Sequence, residues 1–165
     1  MQYKVGIGYD IHRLVAQRKL FLGSVEIPYA KGLLGHSDGD VLIHALIDAL
    51  LGALALGDIG EHFPDTDCQY QDMASSLLLK KIKVLLDKSG YKINNLDIII
   101  LAQEPKLTPF KQRMKEKVCA LLDIKLDVLN IKAKTNEGLD AIGRLEAIAC
   151  YVTVSLIKTS GVKQV

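Results

Sequence analysis

The sequence has no uninterrupted apolar stretch near the roughly 20 residues that a membrane span requires, so no crossing of a bilayer is expected. Its first ten residues alternate apolar and polar side chains, which does not read as a signal peptide. Cysteine is scarce. Cys68, Cys119 and Cys150 are three in number and lack metal-type or redox spacing. They read as free thiols of a reducing compartment, and the cytoplasm is the expected location. Charge of one sign is missing too: a net charge of +2 does not argue for nucleic acid. The densest basic cluster, Lys80, Lys81 and Lys83, reads as the solvated face of a helix. Repeats, low-complexity runs and linkers are absent. What remains is an ordinary globular composition, 49% apolar and 24% charged over 165 residues, which suits one domain with a real core.

Period-two alternation marks Tyr3–His12 as a strand, with Val5, Ile7, Tyr9 and Ile11 on one face and Lys4, Asp10 and His12 on the other. Residues 21–27 suit a short hairpin before a loop at Lys31-Gly32. The polar run Ser37 to Asp40 is a helix entry, and the helix it opens runs from about Asp40 to Leu56. A Gly, Pro and Asp loop spans Asp58–Asp67. Ala74–Lys88 is an amphipathic helix stopped at Ser89-Gly90. Leu96–Ala102, Val128–Lys134 and Ile148–Leu156 read as strands. Pro109–Leu122 is a third helix, and Thr135–Gly143 a polar loop. The expected fold is α+β: a mixed sheet of about four main strands, helices covering one face, and a short early hairpin.

Asp10 and His12 stand two apart on a strand and share a face. Asp40, His44 and Asp48 stand four apart on an otherwise apolar helix and share one too. Buried without partners, such groups would cost about 1–3 kcal/mol each. Asp10, His12 and His44 together match the usual protein contribution to a catalytic zinc, one carboxylate and two imidazoles with one position open. By spacing alone, the D-x-H pair fits equally a chance occurrence on a strand, and His44 a hydrogen-bonded core histidine. Asp40 and Asp48 fit acceptors that orient His44. They fit equally a helix cap and a buried hydrogen bond.

The strings G-Y-D-I-H-R-L (Gly8–Leu14), G-L-L-G-H-S-D-G-D-V-L-I-H-A-L-I-D-A-L-L-G-A (Gly32–Ala53) and G-D-I-G-E-H-F-P-D-T-D (Gly57–Asp67) resemble the 2-C-methyl-D-erythritol 2,4-cyclodiphosphate synthases of the non-mevalonate isoprenoid pathway. A-Q-E-P-K-L (Ala102–Leu107), K-A-K-T-N-E-G-L (Lys132–Leu139) and I-G-R-L-E (Ile142–Glu146) continue the likeness in order. The resemblance implies an intramolecular reaction. The 2-phosphate of a CDP-linked methylerythritol attacks the β-phosphate, CMP leaves, and an eight-membered cyclic diphosphate forms.

By that resemblance, Asp10, His12 and His44 hold one zinc per subunit, and Glu137 binds a magnesium or manganese ion that bridges the diphosphate. His36 and Thr135 stabilise the transition state, and Ser37 donates to phosphate or caps the helix. Asp58, Ile59 and Gly60 form a ribose-binding turn. Phe63, Pro64, Asp65, Thr66 and Asp67 surround the methylerythritol. Ala102, Gln103, Glu104, Pro105, Lys106, Leu107 and Thr108 form the cytosine pocket, and Lys134, Thr135, Asn136 and Glu137 continue the pocket stretch. Ala141, Arg144 and Glu146 fall near a threefold axis. There Arg144 either lines a central cavity or makes an interchain salt bridge.

The family forms homotrimers with active sites between subunits, and no nucleic acid or membrane partner is implied. Two departures stand out: Asp140-Ala141 where many members have Gly-Phe, and Lys134 where Thr is common. The chain is expected to be a single synthase domain over residues 1–165, without a fused cytidylyltransferase. A metal-dependent nucleotide-diphosphate phosphohydrolase and a non-catalytic trimeric nucleotide-binding module are the alternatives.

Overall fold

A computed structural model describes residues 2–64, 66–70 and 73–159, with the side chain of Cys68 left out. Its centre is helix α1 (Val41–Leu54), apolar on nearly every side and buried at all but three positions. A helix hydrophobic all round belongs inside a core. Beneath it runs strand β1 (Tyr3–Ala16). The two meet unusually closely. A Cβ at Gly6 would lie 2.0 Å from the Ala49 carbonyl oxygen, and one at Gly8 would lie 1.9 Å from that of Ala45. Only glycine allows backbone to approach backbone in this way.

The β2 (Leu20–Leu22) and β3 (Val25–Ile27) pair forms the expected hairpin. After it come β4 (Lys31–Leu33), α1, the single turn α2 (Ile59–His62) and α3 (Ser75–Lys88). The chain continues through β5 (Tyr91–Leu101), α4 (Lys111–Leu122), β6 (Leu129–Lys134), the single turn α5 (Asp140–Gly143) and β7 (Ala147–Lys158). Among the described residues one mixed sheet has the order β4-β1-β7-β5-β6, with β5–β6 parallel and the other pairs antiparallel.

The expectation of about four main strands is therefore corrected to five. The extra strand, β4, is three residues long and pairs only with the end of β1, Leu14 to Ala16. A strand so short carries no readable alternation. The loops expected over residues 58–67 and 135–143 likewise hold the one-turn helices α2 and α5.

The core lies on the helix side of the sheet, where α1 packs on β1 and β7 and α3 packs on α1. The opposite side is unusual. Val5 and Ile7 are 68% and 70% exposed, and Tyr3, Tyr9, Ile11 and Tyr151 are exposed with them. The apolar stripe of β1 thus faces away from the core, while its glycine and polar stripe faces α1. Among the described residues no helix is long and apolar enough to cross a membrane.

Candidate active site

The close fit of β1 on α1 brings the two halves of the expected triad together. Asp10 Oδ2 lies 2.8 Å from His12 Nε2 and 3.0 Å from His44 Nδ1, and those ring nitrogens are 3.0 Å apart. One carboxylate oxygen and two imidazole nitrogens thus converge on a point, and the group can hold a metal ion. The donor set suits a borderline ion such as zinc. Burial alone would raise the Asp10 carboxyl, but hydrogen bonds from His12 and His44 outweigh it and hold the group well below the ordinary range. His44 shifts upward. Burial opposes its charge, yet the bond to Asp10 and the charges of Asp10, Asp40 and Asp38 prevail.

The other nitrogen of His44 faces two hydroxyls. Nε2 is 2.9 Å from Ser75 Oγ and 3.0 Å from Ser37 Oγ. Ser75 in turn donates its hydroxyl to one oxygen of Asp38 and its backbone N–H to the other. The ring is thus not held by Asp40 or Asp48. Asp40, fully buried, caps α1 by accepting from Ile43 N and also accepts from Gly23 N and Ser24 N, the turn of the hairpin. Asp48 accepts from Ile59 N at 2.8 Å and so anchors α2. Burial raises the Asp48 carboxyl, with the negative charges of Asp58 and Asp10 adding to the effect.

A cavity of about 620 Å³ opens over the triad. Of the residues singled out in the sequence it gathers Asp10, His12, His36, Ser37, His44, Asp48, Ile59, Gly60, Phe63 and Asp67. Pro64 and Thr66 are exposed beside it, and Asp65 lies outside the described residues. Asp58 caps α2 by accepting from Glu61 N. Leu34, Gly35, Tyr70 and Leu78 complete the lining, and neither they nor the Ser75–Asp38 pair were singled out in the sequence. Ser75 had a signal: it falls on the buried stripe of α3 with Leu78, Leu79 and Ile82. A hydroxyl on an apolar stripe implies a polar partner.

The remaining candidates form a second group at the ends of β5 and β6. Ala102 N donates to Lys134 O at 2.9 Å, and Gly138 N donates to Gln103 Oε1 at 3.3 Å. Thr135 donates its hydroxyl to Glu137, and Tyr29 donates to Glu104. Among the described residues, neither Ala102–Thr108 nor Lys134–Glu137 lines the cavity over the triad. Asp140 has a φ of 56°, a left-handed conformation that Asp tolerates better than most residues. Its carboxylate accepts from Ile142 N and Asn136 Nδ2, each at 2.8 Å. Arg144 forms its ion pair within the chain, with Glu146 at 3.1 and 3.2 Å.

Residues 3–157 match the YgbB family. A 2-C-methyl-D-erythritol 2,4-cyclodiphosphate synthase of Clostridium acetobutylicum is 56% identical over 154 residues, 93% of this chain and 99% of that protein. The one from Clostridium botulinum (strain Alaska E43 / Type E3) is 54% identical over 155 residues, 94% of this chain and 99% of its own length. Among solved structures, the bifunctional IspDF of Campylobacter jejuni matches with a TM-score of 0.92 and 43% identity, covering 95% of this chain and 42% of that one. The CDP complex of IspF from Plasmodium falciparum matches with a TM-score of 0.85 and 34% identity, covering 96% of this chain and 97% of that one.

Proposed function

This chain belongs to the YgbB family, and on that footing we propose that it is a 2-C-methyl-D-erythritol 2,4-cyclodiphosphate synthase of isoprenoid precursor biosynthesis. The carrying observation is the convergence of Asp10, His12 and His44 in a substrate-sized cavity. In the reaction, a 2-phosphate oxygen of the CDP-linked substrate bonds to the β-phosphorus. The bond from that phosphorus to the oxygen shared with the α-phosphate breaks, and CMP departs with the electron pair. The nucleophile belongs to the substrate, so the chain's task is to hold two phosphates together and stabilise their charge.

When bound, zinc on Asp10, His12 and His44 and magnesium or manganese on Glu137 would supply positive charge to the phosphates. His36 and Ser37, on the rim of the same cavity, suit donation to phosphate oxygens. Asp58 at the start of α2 suits the ribose hydroxyls, and Phe63 with Asp67 suits the methylerythritol. Thr135 and the cations of Lys106, Lys134 and Arg144 fit the phosphate side, while backbone groups of Ala102–Thr108 fit the cytosine edge. The relative bound to CDP supports cytidine recognition here.

The working form is a homotrimer in the cytoplasm, with the triad side from one subunit and the cytidine side from the next. Two observations support this: the cytosine-pocket residues Ala102–Thr108 lie apart from the cavity, and the outer sheet face is apolar. Incubating the protein with the CDP-linked 2-phosphate, zinc and magnesium should give CMP and the cyclic diphosphate by phosphorus NMR. An acyclic monophosphate would mean hydrolysis, and CDP binding without turnover would mean a binding module.

A further inference from the structure

The polar atoms behind His44 have only one consistent arrangement of protons. Ser75 Oγ has three close neighbours: Asp38, His44 Nε2 at 2.9 Å and Ser37 Oγ at 3.3 Å. It carries one proton, and of the three neighbours only the carboxylate cannot donate one. The proton therefore goes to Asp38, and the lone pairs of Ser75 are left facing the imidazole. Nε2 must then carry a hydrogen, or two lone pairs would meet at 2.9 Å in a site where Ser75 is fully buried. With Nε2–H fixed in this way, the hydrogen that a metal displaces is the one on Nδ1, which otherwise bonds Asp10. The lone pair is then presented on Nδ1, beside Asp10 and His12. Ser37 alone would not decide the matter, because its hydroxyl can either donate to Nε2 or accept from it.

We infer that Asp38, acting through Ser75, is the positioning residue that sets the tautomer of His44 and thereby presents Nδ1 to the metal. The inference rests on the proposed zinc at the triad. It makes an unusual demand on mutants. In Asp38→Asn, the amide oxygen stays with the Ser75 N–H, the shorter of the two backbone bonds to this side chain at 3.1 Å, and the 3.2 Å bond from Asp40 N is given up. The amide NH2 group then faces Ser75 Oγ and donates to it. The Ser75 proton turns toward Nε2, the nearer acceptor at 2.9 Å against 3.3 Å for Ser37 Oγ, and the imidazole hydrogen moves to Nδ1, against the metal. Ser75→Ala merely removes the arbiter and leaves Ser37. The near-isosteric change should therefore be worse than the truncation, and adding Ser75→Ala to Asp38→Asn should restore binding.

The test is zinc affinity by chelator competition on the full chain, with long-range nitrogen–proton NMR of the zinc-loaded protein to read the tautomer. Expected are an Nε2–H His44 in wild type and about 10–100-fold weaker zinc in Asp38→Asn. A smaller loss is expected in Ser75→Ala, with recovery of the double variant to the Ser75→Ala level. Asp38→Asn binding as tightly as wild type, losses that simply add, or an Nδ1–H tautomer in wild type would overturn the inference. His44→Ala tests the zinc reading separately. If it binds zinc like wild type, the metal is not at the triad and both ideas fall. If it loses zinc while Asp38→Asn does not, only the proton order is wrong.

Discussion

Gly8 presses on Ala45 so closely that an added methyl on the strand would sit 1.9 Å from the helix carbonyl. Backbone atoms cannot step aside as a flexible side chain could. Gly8→Ala should therefore push β1 off α1 and part Asp10 and His12 from His44. We expect a stability loss of about 3 kcal/mol or more, with reduced metal content in whatever folds. Denaturant unfolding and elemental analysis would check both.

In the metal-free protein the two main shifts at the triad act at opposite ends of the pH scale. Asp10 is depressed, so its contribution is present above its unfolded value and fades as the pH falls through the folded one. His44 is raised, so its contribution is present below its unfolded value and is lost as the pH rises through the folded one. The metal-free protein should be most stable between roughly pH 4 and 6.5. Zinc needs the imidazole lone pair, so its stabilisation should grow as the pH rises past that window. Thermal melts across pH, with and without zinc, would show it.

Asp40 accepts from three backbone N–H groups that join α1 to the hairpin turn. Asp40→Ala strands all three in the interior and should cost on the order of 3–5 kcal/mol. Urea unfolding would measure it.

The Asp48 carboxyl is raised by burial and by the nearby Asp58 and Asp10, so its charged form destabilises the fold above its own pKa. Asp48→Asn keeps an oxygen for Ile59 N. With solvent screening allowed for, it should stabilise the metal-free protein by up to ~0.5 kcal/mol at neutral pH. The gain should vanish as the pH falls below the raised value, where the wild-type acid is already neutral. Chemical denaturation at two pH values would decide.

Val5 and Ile7 point away from the core on the outer sheet face. Changing both to Asp should leave zinc uptake intact but dissociate the proposed trimer and abolish turnover. Sedimentation velocity and the phosphorus NMR assay would separate those outcomes.

Spacing offered the triad only as two halves, Asp10 and His12 on one face of β1 and His44 as a polar side chain on an apolar helix. It was the resemblance of the surrounding strings that joined them. What spacing could not show is which stripe of β1 faces inward. Alternation finds two faces, and the apolar one is the usual choice for the core. Here Gly6 and Gly8 reverse it, since only a stripe without side chains can seat against the Ala45 and Ala49 backbone. Strand β4 was illegible because three residues hold too little pattern. Asp40 was ambiguous because a helix cap and a His-orienting acid look alike in sequence, and only the positions of Gly23 and Ser24 decide between them. The buried stripe of α3 signals that Ser75 needs a polar partner, but only the fold shows that the partner is Asp38, 37 residues earlier, which accepts its hydroxyl hydrogen bond.

The left-handed Asp140 has a consequence for the energetics of ligand capture. Its carboxylate bonds and those from Leu139 N to Asn136 O and from Glu146 N to Ala141 O draw residues 136–146 into a coil closed by the chain's own hydrogen bonds. Ordering a free backbone residue costs about 1–2 kcal/mol. For the stretch that carries Glu137 this entropy is spent in folding, so more of each contact with the proposed CDP-linked substrate appears as affinity.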